Sequence, residues 1–319
     1  MRGRSNDDRR VTSGKIGGAF DSTRHGEGDP PNSRAMPLTL LKLSCPDRVG
    51  LLSRITTFIA EHGGNLREVN QFTDTHAGWF FTRMAIESGT LRVPLPELRV
   101  QFAPVAAELG AQWSIRRESE RMRVMLMVSR LGHCLADLLW RWRAGEMHCD
   151  IVGVISNHGD FRAEVEREGV PFHHLPVTAA NKADTFAKME TLWSDAGADL
   201  VVLARYMQIV PAEICDRWAG HIVNIHHSFL PSFSGANPYE RAWERGVKII
   251  GATCHYVSAE LDAGPIIEQE VIRVEHFHSP EDLLRMGRDV ERQALARGVR
   301  WHLADRVLLH GSRAVVFRD

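Results

Sequence analysis

At 319 residues, with 44% hydrophobic and 25% charged residues, the chain is long enough for two folded units, each with its own core, and has the make-up of an ordinary soluble protein. Its 39 basic and 40 acidic residues leave a net charge of -1, so neither nucleic acid nor membrane is expected as a partner, and small-molecule chemistry is the default. The longest apolar runs, such as VMLMV at Val124 to Val128, fall far short of the roughly twenty residues a membrane helix needs, and five scattered cysteines (Cys45, Cys134, Cys149, Cys215, Cys254) form no CxxC pair, which predicts a reduced, cytoplasmic protein.

Residues 1–36 mix charge, Gly, Ser and Pro without a hydrophobic period and are expected to be disordered. They lack the apolar core of a secretion signal, and their acidic residues argue against an Arg-rich transit peptide. Either a functional tail or a start upstream of a true Met36 accounts for them.

From Pro37 the pattern changes. LTLLKLSC (Leu38 to Cys45) reads as a strand, and the following stretch puts Val49, Leu52, Ile55, Phe58 and Ile59 on one helical face, stopping at Gly63-Gly64. NLREVNQFTD and GWFFTRMAIES read as two alternating strands joined through Thr75 to Gly78. A helix from Leu95 to Leu109 and the strand AQWSIRR complete a βαββαβ, ferredoxin-like unit over residues 37–116.

RESERM, residues 117–122, is a short charged linker. Beyond it, over 123–319, apolar strands alternate with amphipathic helices: MRVMLMVS, CDIVGVISN, ADLVVLARY and HIVNIHHS are the long strands. That alternation predicts a doubly wound, mostly parallel sheet, whose ligands bind at the carboxyl ends of the strands. Two further strands, Ile249 to Val257 and Pro265 to Val274, are joined by a tight connection centred on Asp262, and a helix capped by Ser279 with Pro280 in its first turn leads to a final hairpin, RVLLHGSRAVVF. On that helix Leu284, Met286 and Val290 are expected to pack.

In VNIHHSFLP (Val223 to Pro231), strand alternation sends Asn224 and His226 to one side and His227 to the other. Asp262, on a loop, is placed to reach the same cleft. A neutral imidazole can take a proton from a nucleophile and return it to a leaving amine, a side-chain amide can donate to a developing oxyanion, and a carboxylate can orient the imidazole. Such a trio suits acyl or formyl transfer without a covalent intermediate. Taken alone, Asn224 and His226 also read as satisfied polar core groups. No spacing typical of metal ligands, no GxGxxG and no P-loop occurs, so neither metal nor nucleotide cofactor is expected.

CPDRVGLLSRI followed by GGNL resembles the ACT domain, a module that binds free amino acids and regulates an attached enzyme. The resemblance assigns effector binding to Asp47, Arg48, Gly50 and Asn65; the alternative is that the unit only mediates contacts in a homo-oligomer, which is expected in either case. NIHHSFLP with the distant LDAGPII resembles the formyltransferases that use 10-formyltetrahydrofolate, and implies catalytic positions for Asn224, His226 and Asp262. It further implies substrate contacts for Met207, Gln208, Val210, Gly235 and Leu261. The turn MVSRLGHCLADLL has only Gly132 where transformylases of glycinamide ribonucleotide carry a glycine-rich phosphate loop, and about 45 residues after Val274 leave no tRNA-binding domain. Over residues 37–318 the chain is most similar to the formyltetrahydrofolate deformylases, which implies hydrolysis of 10-formyltetrahydrofolate, supplying formate for purine synthesis and balancing one-carbon folate pools. Transfer to an unidentified amine, and a non-catalytic amino-acid or folate sensor, are the other readings.

Overall fold

A computed structural model describes residues 37–231 and 238–318; the expectation for residues 1–36, and Gly235, lie outside the described residues. The first unit runs β1 (Leu38–Pro46), α1 (Leu51–Glu61), β2 (Leu66–Asp74), β3 (Trp79–Glu87), α2 (Leu95–Leu109) and β4 (Gln112–Arg117). Its strands form an antiparallel sheet in the order β2-β3-β1-β4, as the βαββαβ pattern requires. One face packs Leu41, Leu43 and Ile115 against Ile55, Phe58 and Phe102 of the two helices.

The helical face of α1 is set one step away from the sequence expectation. Gly50 takes a left-handed conformation (φ 89), so the helix begins at Leu51 and buries Leu51, Ile55, Phe58 and Ile59. Val49 precedes the helix and is fully exposed, and Leu52 lies at the margin of its outer side. β3 does not alternate either: after its first residue every side chain is buried. The face turned away from the helices is covered by the last part of the chain, where Trp79 stacks on His310 and Arg83 donates to the Ala304 carbonyl.

The second unit follows as β5 (Met122–Val128), α3 (His133–Arg143), β6 (Cys149–Ser156), α4 (Arg162–Arg167), β7 (Phe172–His174), α5 (Lys182–Asp195), β8 (Leu200–Leu203), α6 (Ala212–Arg217), β9 (Ile222–His226), α7 (Pro238–Arg245), β10 (Ile249–Tyr256), β11 (Ile266–Arg273), α8 (Pro280–Leu303), β12 (Val307–His310) and β13 (Arg313–Val316). Among the described residues the main sheet has the order β11-β10-β9-β8-β5-β6-β7, parallel from β9 through β7 and antiparallel at β10 and β11.

Each parallel strand is apolar on both sides because helices cover both faces. Val124, Leu126, Val223 and Ile225 pack with α3 and α8, while Met125, Met127, Leu203 and Ile222 pack with α5 and α6. α8 starts in a capping box in which Ser279 and Asp282 satisfy one another's backbone N–H groups. Val290 is buried on this helix and Met286 partly so, but Leu284 is 39% exposed and does not pack as expected.

The two sheets belong to one compact unit. Asp305, buried at the end of α8, pairs with Lys42 of β1 at 2.8 Å and with Arg116 of β4. Glu68 of β2 binds Arg306, and Asp74 binds Arg313. The expected linker therefore shrinks to a turn between β4 and β5, and charged pairs tie the sheets together on either side of it.

Candidate active site

β9 ends at the carboxyl edge of the parallel strands, and its register against β10 sets Asn224 opposite His255 and His226 opposite Thr253. With Val223 and Ile225 committed to the α8 side, Asn224 and His226 face the other side, as alternation predicts. They open into a cavity of about 220 Å³ walled by residues 205–210, by the end of β9, by His255 and by the loop from Val257 to Asp262.

That loop is longer than a tight turn and carries Asp262 back over the strand ends. Asp262 sits in the left-handed region (φ 56), which Asp tolerates better than most side chains. Gly264 lets the loop close: a Cβ there would lie 1.9 Å from the Tyr256 carbonyl oxygen. Asp262 Oδ2 consequently stands 3.2 Å from His226 Nδ1, and its Oδ1 3.8 Å from His255 Nε2.

These distances define the protonation pattern. A carboxylate only accepts, so in the neutral imidazole the His226 proton lies on Nδ1 and Nε2 keeps its lone pair. That Nε2 is buried and has no hydrogen-bond partner among the described residues. The hydrogen bond from His226, against the opposing effect of burial, holds the Asp262 carboxyl below its ordinary range. His255 donates through Nδ1 to the Tyr256 carbonyl at 2.9 Å, leaving Nε2 to accept from Asn224 Nδ2 at 3.2 Å. Burial pushes the His255 imidazole below its usual range, so it remains neutral and one Asn224 N–H stays committed to it.

The next segment of backbone is pinned as well. Thr253 Oγ1 donates to the Ser228 carbonyl at 2.9 Å and accepts from the Leu230 amide at 3.1 Å, and Gln269 donates to the Leu230 carbonyl at 3.0 Å. Through these bonds β10 and β11 fix the chain just after His226.

Next to this site, and sharing Arg205 and His227 with the cavity wall, lies a polar cluster that sequence reasoning missed. Glu291 of α8 accepts from Tyr239 at 2.8 Å, lies 2.7 Å from His133 Nε2 and 3.4 Å from Arg205 Nε. His227 lies beside Tyr239, and burial together with the Arg205 charge pushes its pKa down to about 4. His133, Cys134 and Glu291 also bring donor atoms within 4.8 Å of one another. The Arg205 cation beside Glu291 and a Cys134 thiol pushed well up by burial make this set a poor cage for a second positive charge.

Met207, Gln208, Val210 and Leu261 line the cavity with Asn224, His226 and Asp262. Asp47, Arg48 and Gly50 lie together at the turn from β1 into α1, but the Asp47 amide is already taken by the Gly78 carbonyl at 2.8 Å and Arg48 donates to the Glu108 carbonyl at 2.9 Å. Asn65 lies beyond the far end of α1, where its amide donates to Thr90 Oγ1; about 16 Å of helix separate it from the other three. Within this chain the four expected effector residues are not brought together. The sequence does not single out His255 because its role depends on which strand pairs with β9; ATCHYV carries the signal only once Thr253 and His255 are paired with His226 and Asn224.

Comparison with known proteins agrees with this architecture. The formyl transferase family model matches residues 122–299, and the ACT domain model matches residues 39–92. A formyltetrahydrofolate deformylase of Synechocystis sp. is 47% identical over 277 residues, covering 87% of this chain and 97% of that protein. The crystal structure of a formyltetrahydrofolate deformylase from Pseudomonas syringae pv. tomato is 50% identical with a TM-score of 0.88, covering 90% of this chain and 96% of that one. A glycinamide ribonucleotide transformylase from Symbiobacterium toebii, 30% identical with a TM-score of 0.58, covers 62% of this chain and 95% of its own length. Because similarity to the deformylases covers 87 to 90% of this chain and nearly all of theirs, whereas the transformylase covers 62% of it, the chain belongs to the formyltetrahydrofolate deformylase family.

Proposed function

We propose that the chain hydrolyses 10-formyltetrahydrofolate to formate and tetrahydrofolate at Asn224, His226 and Asp262. Water lies against His226 Nε2, which takes a proton as the oxygen attacks the formyl carbon. The Asn224 N–H not held by His255 donates to the developing oxyanion. Asp262 accepts from Nδ1–H and stabilises the imidazolium. Collapse of the tetrahedral intermediate breaks the bond to N10, which takes the proton back from His226. Met207, Gln208, Val210 and Leu261 hold the folate, with Gly235 expected to join them, and the reaction uses no further cofactor.

The observation that carries this reading is the buried His226 Nε2, which has no partner among the described residues and whose opposite nitrogen is tied to a carboxylate. The turn from β5 into α3 favours water over a phosphate-bearing amine as acceptor. Its one glycine, Gly132, packs so closely that a Cβ would lie 2.3 Å from the Phe161 ring, and His133 is tied to Glu291. An open cradle of amides for phosphate is not formed there. The reading includes a cytoplasmic setting, consistent with five buried free cysteines, an amino-acid effector and assembly of the chain into a homo-oligomer. No helix of the described residues is long and apolar enough to cross a membrane.

The test is formate release from 10-formyltetrahydrofolate by the wild type and by His226→Ala. Release without added amine, abolished in the variant, is expected; unchanged release by the variant overturns the assignment of the base, and release that requires an added amine overturns hydrolysis.

A further inference from the structure

The chain that walls the active-site cavity at residues 205–210 leaves the main sheet just after β8. The parallel ladder with β5 continues past the strand, from the Ala204 N–H to the Met127 carbonyl at 2.8 Å and from the Ser129 N–H to the Arg205 carbonyl at 3.3 Å. There the backbone turns away, because Arg205 takes a left-handed conformation (φ 65). A long side chain keeps that conformation only where its surroundings impose it. Met207 and Gln208 follow the turn, so their place in the wall depends on what fixes the backbone beyond Arg205.

Ser129, the first residue after β5, supplies that fixing point. It is 3% exposed, and its Oγ accepts from the Met207 N–H at 3.0 Å. The hydroxyl proton points elsewhere, since Oγ donates to Asn157 Oδ1, just past the end of β6, at 2.7 Å. Asn157 Nδ2 can only donate, and it lies 3.3 Å from His158 Nε2, which sets the carboxamide with its oxygen towards Ser129. With its proton committed to Asn157, Ser129 Oγ keeps a lone pair for Met207. One residue thus holds the wall on either side of Tyr206, by its main chain at Arg205 and by its side chain at Met207.

These bonds do not include the groups that do the chemistry. Asn224 is held by His255 of β10, and His226 by Asp262 of the loop that follows it. Loss of the Ser129 hydroxyl therefore loosens the surface against which the folate lies and leaves donor, base and carboxylate in place.

We infer that Ser129, oriented by Asn157, is a positioning residue for folate binding, acting through the backbone of Met207 and not on the reacting atoms. The inference rests on the reading above that Met207 and Gln208 hold the folate. The experiment compares the full-length wild type with Ser129→Ala, Asn157→Ala and the double variant. Steady-state formate release from 10-formyltetrahydrofolate gives kcat and KM, and calorimetry with tetrahydrofolate, the product, gives Kd. Ser129→Ala is expected to raise both KM and Kd by about tenfold, the effect of one lost hydrogen bond at a placed amide, while kcat stays within about threefold. Asn157→Ala acts in the same direction by a smaller factor, and the double variant is no worse than Ser129→Ala, because both residues act through one bond. A merely structural role lowers Tm or the amount of active enzyme and leaves KM and Kd where they are. Unchanged KM and Kd in Ser129→Ala overturn the inference, and so does a double variant in which the two single effects multiply. Where Ser129→Ala does not fold, Asn157→Ala decides alone, and unchanged KM and Kd in it overturn the inference. A wild type that neither releases formate nor binds tetrahydrofolate overturns the folate reading itself, and the inference with it.

Discussion

Replacing Asp262 by Asn keeps the shape of the side chain and removes the charge that faces His226. The two groups are 3.2 Å apart and the carboxylate is 17% exposed. At an effective dielectric constant of about 20, a full charge on Asp262 favours an imidazolium at that distance by roughly 5 kcal/mol. Water at the partly exposed carboxylate and the Asn224 and His255 dipoles beside it reduce this to about 3 to 4 kcal/mol, or about 10² to 10³ in rate. The Asn side chain adds a second defect, since its NH₂ can donate to Nδ1 and drive the proton onto Nε2, where the base is required. Steady-state formate release is therefore expected to show kcat reduced by at least about 10² with KM little changed, because the charge develops only in the transition state. The bond from His226 holds the Asp262 carboxyl below its ordinary range, so the wild-type orientation persists through that range and is lost only as pH falls below it. A variant whose kcat stays within about threefold of wild type would falsify the role given to the carboxylate.

Three further outcomes are expected. His255→Phe removes the acceptor that holds Asn224 and the donor to the Tyr256 carbonyl, and should lower kcat by about ten- to a hundredfold and Tm by a few degrees, which steady-state assays and thermal melts read directly. Asp305→Ala leaves Lys42 and Arg116 facing each other without their shared counter-ion; the cost is about 3 kcal/mol, at the low end for a buried pair because Lys42 keeps some contact with water, and calorimetry should show a drop in Tm of several degrees. His227, at about 4, is depressed below the 6.5 of the unfolded chain, so the neutral form it stabilises is fully present above pH 6.5 and its contribution is lost as pH falls from there towards 4; His227→Gln should flatten that part of the Tm profile, and an unaltered profile refutes the assignment.

The fold was legible wherever one residue pattern had one physical solution. Alternation and helical periodicity placed most elements, and the change from antiparallel to parallel strands appeared as the switch from half-apolar to fully apolar runs such as VMLMV. Errors arose where burial came from distant chain. β3 loses its alternation because the end of α8 and the last hairpin cover a face that an isolated sheet would expose, and Leu284 is outward because the buried stripe of α8 runs through its neighbours Leu283, Gly287 and Val290. Val49 departs from the expectation for a local reason: Gly50 in the left-handed region starts the helix at Leu51, two residues later, and changes which residues share its inner face.

The site divides along the same line. Period-two alternation needs only the strand itself to put Asn224 and His226 on one side, but β9 ends at His226, and His227, which alternation sends to the other side, also lines the cavity. His255 required the pairing of β10 with β9, a long-range antiparallel step that no local pattern encodes. Yet His255 determines what Asn224 can do: with one amide N–H bound to a neutral, buried imidazole, the carboxamide keeps a single remaining N–H for substrate and has a defined direction. The pairing that could not be read from the sequence is thus what turns the legible Asn-x-His spacing into an oriented donor next to a base.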